Sequence, residues 1–100
     1  MKSIKICLFT GTRADYPRIK SVIPLFEKSK LFDLKIIVTG SHLLKKFGYT
    51  YKEIISDGYK IHKKVKMFNQ NIDDTLYGNT IAFSECSKGI AKVLNEIKPD

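Results

Sequence analysis

The stretch that most restricts how this chain can fold is Lys5-Ile6-Cys7-Leu8-Phe9-Thr10-Gly11-Thr12-Arg13-Ala14-Asp15-Tyr16. Ile6 to Thr10 are apolar or small with no polar alternation, the pattern of a parallel strand covered on both faces. Gly11 then removes a Cβ where the chain turns sharply and where a ligand could approach the backbone. Asp15 is a suitable N-cap for the helix behind it, whose free N–H groups would face the loop. In an open α/β sheet, ligands gather beyond the C-terminal ends of such strands. Arg13, in the loop, can form two parallel bonds to a phosphate or carboxylate. The same residue can equally pair with Asp15 or another carboxylate at a turn.

Downstream, Ile19, Val22, Ile23 and Phe26 recur on one helical face, which predicts a helix over roughly 15–29. Pro24 should kink it between Lys20 and Pro24, because it offers no N–H to the Lys20 carbonyl. Leu34 to Gly40 reads as a second strand, ending in Thr-Gly like the first. Ser41 is expected to cap a short helix, Leu43 to Phe47, closed by Gly48. Thr50 and Glu53 fit a capping box for another, ended by Gly58. Tyr59 to Met67 predicts a third strand, with Ile61, Val65 and Met67 on one side and Lys60, His62, Lys64 and Lys66 on the other. Such a strand suits a sheet edge. Asp73 or Asp74 is expected to cap the longest helix. There Leu76, Thr80, Phe83, Ser87, Ile90, Leu94 and Ile97 form one stripe, and Lys98-Pro99-Asp100 stops it.

One hundred residues allow one domain, with 43% hydrophobic and 28% charged residues typical of a globular chain. The net charge of +8 comes from lysines scattered along the sequence. It lacks the interleaved arginines and aromatics of a nucleic-acid reader, so no nucleic-acid partner is expected. Cys7 and Cys86 lie in no CxxC or Cys/His cluster, which gives a metal no support. Both read as buried thiols in a reducing compartment, and no apolar run reaches the ~18–20 residues of a membrane span. The expectation is a cytoplasmic protein with no membrane partner.

The alternation of elements predicts a three-layer, Rossmann-like α/β fold with a parallel sheet in the order 3-2-1. The last helix should return the chain to a fourth strand beside the first, and the sequence ends at Asp100, where that strand would begin. The expectation is therefore residues 1–100 as a partial N-terminal domain without a second one. The exposed edge of the first strand would favour self-association.

The loop after the first strand is neither a GxGxxG fingerprint nor a P-loop, since the second and third glycines and a GK[ST] are missing. His42, after Thr39-Gly40-Ser41, falls on the neighbouring strand-end loop, as a structural residue or a ligand contact. His62 reads as surface, and no nucleophile triad can be assembled.

The runs Gly11-Thr12-Arg13-Ala14-Asp15-Tyr16, Val38-Thr39-Gly40-Ser41-His42-Leu43, Phe47-Gly48-Tyr49-Thr50-Tyr51 and Lys98-Pro99-Asp100, in register over the whole chain, resemble the start of the UDP-N-acetylglucosamine 2-epimerases. The likeness is strongest to the hydrolysing branch that feeds sialic and other nonulosonic acids. The resemblance implies a glycosyltransferase-B-like fold of two Rossmann-like domains, with this chain as the first half of the first. It implies a UDP-sugar substrate, no cofactor, and a homo-oligomer. By the same resemblance Gly11 and Arg13 belong to a loop that contacts UDP. Arg18 takes a place where relatives carry Lys, Ser41 and His42 line the cleft, and Asp15 matches an acidic position. The family's first catalytic aspartate would follow Asp100, so no catalytic residue is expected within this stretch. A flavodoxin-like phosphate-binding module and a glycosyltransferase of the same architecture are the alternatives.

Overall fold

The computed structural model of the protein describes residues 3–12, 14–67 and 75–100, apart from the side chain of Lys46. Three strands, β1 (Ile4–Thr10), β2 (Phe32–Thr39) and β3 (Ile61–Val65), form one sheet in the order β1-β2-β3. Both pairings are parallel, with Ile4 opposite Phe32 and Thr10 opposite Val38 in the first. The helices are α1 (Asp15–Lys20), α2 (Ile23–Glu27), α3 (Tyr51–Ser56) and α4 (Leu76–Ile97), with two short 3-10 turns at Gly40–Leu43 and Lys45–Phe47.

Side-chain alternation along the strands divides the core between the two faces. On one face Ile36 and Val38 pack with Tyr16, Ile23 and Ile54 of α1, α2 and α3. On the other Ile37 and Val65 pack with Val93 and Ile97 of α4, with Cys7, Phe9 and Ile90 against them. The sheet is thus covered on both sides, as the unbroken apolar run of β1 requires.

The single kinked helix expected over 15–29 is instead two helices. Ser21 and Val22 form a turn between them, and Pro24 falls in the first turn of α2, where its missing N–H has no partner to lose. The expected facing of β3 is also corrected. Ile36 pairs with Ile61 but Ile37 pairs with Lys63, so His62 is an extra residue that reverses the alternation. Ile61 therefore packs on the α3 side and Val65 on the α4 side. Lys64 lies 3.8 Å from the centre of the Tyr51 ring, and Lys63 reaches Glu96 at 3.3 Å.

The stripe expected along α4 is only partly its buried face. Leu76, Phe83 and Leu94 are exposed, whereas Ala82, Val93 and Ile97 are buried. Small residues draw this helix onto the sheet: a Cβ on Gly89 would lie 2.4 Å from Val65 Cγ1. Thr75 caps α4, its hydroxyl accepting from the Gly78 amide at 3.0 Å, while Asp73 and Asp74 lie outside the described residues. Gly48 and Gly58 end their turns with positive φ as expected, and Lys98, also left-handed, ends α4. The chain then returns to the outer edge of β1. The Asp100 N–H donates to the Lys5 carbonyl at 3.0 Å, and the Lys5 N–H to Asp100 Oδ2 at 2.9 Å. Among the described residues, no helix is long and apolar enough to cross a membrane.

Candidate functional site

A parallel sheet delivers β1 and β2 to the same rim, and their ends, Thr10-Gly11 and Thr39-Gly40, meet there. Gly40 has φ +64°, and a Cβ on it would lie 2.3 Å from the Gly11 carbonyl oxygen. That carbonyl accepts from the Ser41 N–H at 2.9 Å and from Ser41 Oγ at 3.4 Å. Only a glycine without a side chain in this left-handed conformation lets the two backbones approach so closely. The structure thus brings Gly11 and Ser41 together through the main chain.

The loop itself is closed by Thr12 and Asp15. The Gly11 and Thr12 amides donate to Asp15 Oδ2 at 3.2 and 3.1 Å, and the Asp15 amide donates to Thr12 Oγ1 at 3.1 Å. This is the reciprocal exchange of a capping box, with Thr12 supplying the hydroxyl. Asp15 is therefore not the N-cap that the sequence suggested: it is the first residue of α1, and its carboxylate folds back onto the loop. Two amides that could meet an anion are engaged by this internal carboxylate.

His42 is 1% exposed and spans the two walls of the rim. Its Nε2 lies 2.9 Å from Thr10 Oγ1 and its Nδ1 2.8 Å from Thr50 Oγ1. Burial holds its pKa below the usual histidine value, against the opposing pull of Asp15 and Glu53. A neutral imidazole fits two hydroxyl partners, each able to donate or accept. Thr50 is consequently not the capping-box hydroxyl expected for α3, since its side chain makes no cap bond and serves His42 instead. Nor does Ser41 cap the short helix; the 3-10 turn starts at Gly40 and the Ser41 hydroxyl points to Gly11.

Behind the loop, the hydroxyl of buried Tyr16 donates to Asp57 Oδ2 at 2.6 Å, and Lys20 Nζ lies 3.0 Å from the same oxygen. Burial, then the Asp57 carboxylate, pushes the Tyr16 phenol well above its usual range; the Tyr16 and Lys20 bonds hold the Asp57 carboxyl below its own. This pair ties the start of α1 to the end of α3. Arg18 stands exposed on α1, and Arg13 lies outside the described residues. Cys86 brings α4 to the same rim, its Sγ 3.7 Å from Thr39 Oγ1. Among the described residues, no group of three or more potential metal ligands comes together.

No family profile matches this chain. It is, however, 34% identical over 100 residues to the UDP-N-acetylglucosamine 2-epimerase of Neisseria meningitidis serogroup B, an alignment that takes in 96% of this chain and 24% of that protein. It is also 34% identical over 102 residues to the GDP/UDP-N,N'-diacetylbacillosamine 2-epimerase (hydrolyzing) of Campylobacter jejuni, covering 100% of this chain and 25% of the relative. In sequence, this chain belongs with the UDP-N-acetylglucosamine 2-epimerases. A third member, the UDP-N,N'-diacetylbacillosamine 2-epimerase (hydrolyzing) of Legionella pneumophila, is 44% identical over 57 residues, 57% of this chain and 15% of its own length. The chain thus spans about a quarter of the length of the first two relatives. Within this chain, the side-chain roles of Thr10, Thr12 and Thr50 at the rim are what the sequence does not announce. Thr12-x-x-Asp15 is a capping-box spacing, and the paired Thr10 and Thr39 at two strand ends were the visible signal.

Proposed function

We propose that the protein carrying this chain is a hydrolysing UDP-N-acetylglucosamine 2-epimerase, and that residues 1–100 make the first half of its N-terminal, Rossmann-like domain in a glycosyltransferase-B-like fold. The reaction removes the proton at C2 of the sugar and breaks the bond from C1 to the diphosphate, releasing UDP and leaving a glycal-like intermediate. Water then adds, and the free 2-epimer, N-acetylmannosamine or a related sugar, departs. Carboxylates serve as acid and base, and the departing diphosphate needs cationic or N–H partners where its charge develops.

The observation that carries this reading is the main-chain contact between the Gly11 and Ser41 loops, in a chain whose relatives are 2-epimerases over its full length. In this reading Gly11 and Ser41 shape the floor under the UDP-sugar. Arg13 meets the diphosphate, with Arg18 in a supporting position, and Asp15 and His42 hold the two loops in place. The acid and base carboxylates belong to the part of the protein after Asp100, so the hundred residues alone are inert. The working protein is a cytoplasmic homo-oligomer.

The test is product analysis. The full-length protein, incubated with UDP-N-acetylglucosamine in labelled water, should yield UDP and a free 2-epimerised sugar carrying the label. Recovery of unchanged substrate, or sugar transfer only when an acceptor is added, refutes the proposal. Turnover by residues 1–100 alone refutes the assignment of the carboxylates.

A further inference from the structure

Helix α3 is fastened at both of its ends, and neither fastening follows from local helix signals. At its start, the Thr50 hydroxyl lies 2.8 Å from His42 Nδ1 and makes no bond to the helix amides. At its end, Asp57 puts a carboxylate where the helix carbonyls already concentrate negative charge, a locally unfavourable place. Its Oδ2 accepts from the Tyr16 hydroxyl at 2.6 Å. Tyr16 follows Asp15, whose carboxylate holds the Gly11 and Thr12 amides, and His42 reaches on to Thr10 at 2.9 Å. These contacts close a circuit around the rim. It runs from Thr10 through His42 and Thr50, along α3 for about 10 Å, and back through Asp57, Tyr16 and Asp15 to Gly11.

The weak member of that circuit is α1. Its six residues are too few to hold a helix by themselves, its N-cap Ala14 makes no side-chain bond, and a turn at Ser21 and Val22 separates it from α2. Packing of the Tyr16 ring with Ile23, Val38 and Ile54 sets how close α1 lies to the sheet. Apolar contact is non-directional, so it fixes neither rotation nor sliding of so short a helix. The bond from hydroxyl to carboxylate is directional and, at 2.6 Å, has the length of a charge-assisted bond. Lys20 shares the same oxygen at 3.0 Å, but its side chain is 50% exposed, and an ion pair in water holds little. Fixing the start of α1 falls to the Tyr16 hydroxyl, and with α1 goes the turn at Gly11 and Thr12 that Asp15 holds.

We propose that Tyr16 is a positioning residue of the UDP-sugar site: through its bond to Asp57 it holds the Gly11-Thr12 turn in place against the Ser41 loop. This rests on the UDP-sugar reading above and adds to it a residue that is itself buried, 2% exposed. A wall that meets UDP stays in contact before and during bond breaking, so misplacing it weakens substrate and transition state alike. Loss of the bond should therefore raise KM and leave kcat nearly unchanged. The rise should be about tenfold, the low end for one hydrogen bond to a charged group.

The experiment measures UDP release from UDP-N-acetylglucosamine by the full-length protein, together with inhibition by added UDP. Tyr16→Phe keeps the buried ring and removes only the hydroxyl. It should raise KM and the inhibition constant of UDP by about tenfold each, with kcat within about twofold of wild type. Asp57→Asn keeps an oxygen that accepts from the hydroxyl and should stay within about threefold of the wild-type KM, whereas Asp57→Ala should match Tyr16→Phe. Combining Tyr16→Phe with Asp57→Ala should be no worse than either alone. Circular dichroism checks that each variant folds. A folded Tyr16→Phe with unchanged KM, or additive effects of the two substitutions, overturns the positioning role and leaves the epimerase reading standing. If Tyr16→Phe does not fold, the Asp57 pair decides: equal KM values in Asp57→Asn and Asp57→Ala overturn the role. A wild-type protein that releases no UDP overturns the epimerase reading, and the positioning role with it.

Discussion

Replacing Gly40 by alanine tests the joint between the two rim loops. At φ +64° an L-residue costs about 1–2 kcal/mol against glycine. The new Cβ would also stand 2.3 Å from the Gly11 carbonyl oxygen, about 1 Å inside ordinary contact, and its neighbour there is backbone rather than a movable side-chain tip. Relief requires the Gly11 carbonyl to swing away from the Ser41 N–H, a bond of 2.9 Å worth about 1 kcal/mol. Residual crowding adds about 1 kcal/mol, the low end of overpacking costs.

The expected loss for Gly40→Ala is then about 3–4 kcal/mol, a large part of the roughly 5–15 kcal/mol available to a chain of this length. Gly48 supplies the control. It has φ +74° and nothing within 4 Å of its would-be Cβ, so Gly48→Ala should carry only the conformational cost of about 1–2 kcal/mol. Urea unfolding of wild type and both variants, with m held common, measures the difference. If Gly40→Ala destabilises within about 0.5 kcal/mol of Gly48→Ala, the close approach of the loops does not govern this site and the reasoning fails.

Gly89→Ala should destabilise by about 1 kcal/mol, since Cβ contact with Val65 Cγ1 outweighs the helix-propensity gain of about 1 kcal/mol; adding Val65→Ala should remove the clash, and strict additivity in the double-mutant cycle would refute it. Burial lowers the folded-state pKa of His42, so the unfolded chain takes up the proton first. Stability should be complete above the ordinary value of 6.5 and fall as pH drops through the folded value, and a pH series of unfolding curves should lose that slope in His42→Gln. The Asp57 carboxyl is depressed mainly by the Tyr16 hydroxyl, so its contribution is present above 3.8 and lost as pH falls through the folded value. In Tyr16→Phe, an NMR titration should show the Asp57 carboxyl moving up toward 3.8, and an unmoved midpoint refutes the pairing.

Where local chemistry and tertiary packing ask for the same thing, the sequence was readable. Ile6 to Thr10 fit a strand covered on both faces, and the parallel sheet with its helix-covered faces agrees with that. Elsewhere a tertiary partner outbid the local signal. Thr50 has the spacing of a capping box, but a buried imidazole needs a hydroxyl more than an exposed helix end does. Large apolar residues mark one stripe along α4, whereas close packing on a sheet selects Ala82 and Gly89, whose smallness lets the helix approach. The reversal in β3 depends on one unpaired residue, and a bulge at His62 has no glycine or proline to announce it. At the site, the meeting of the two Thr-Gly ends was legible; the burial of His42 was not, because exposure of a loop histidine depends on α3 closing over it.

The charge balance of the rim then bears on how UDP would be held. A diphosphate brings negative charge to a place where Asp15 already carries one and where the Gly11 and Thr12 amides already donate to it. His42, neutral and bonded on both sides, offsets none of that charge. In the proposed site the described loops would supply shape rather than attraction: Gly40 fixes how near the two turns lie, and the Thr10-His42-Thr50 chain ties them to α3. In the proposed reading, attraction would come from the guanidinium groups of Arg13 and Arg18 and from cations contributed by the rest of the protein. On that proposal, a site divided in this way would bind its leaving group well only when both halves are present. The proposed elimination would need such a division, since UDP must be gripped as it departs and released once water has added.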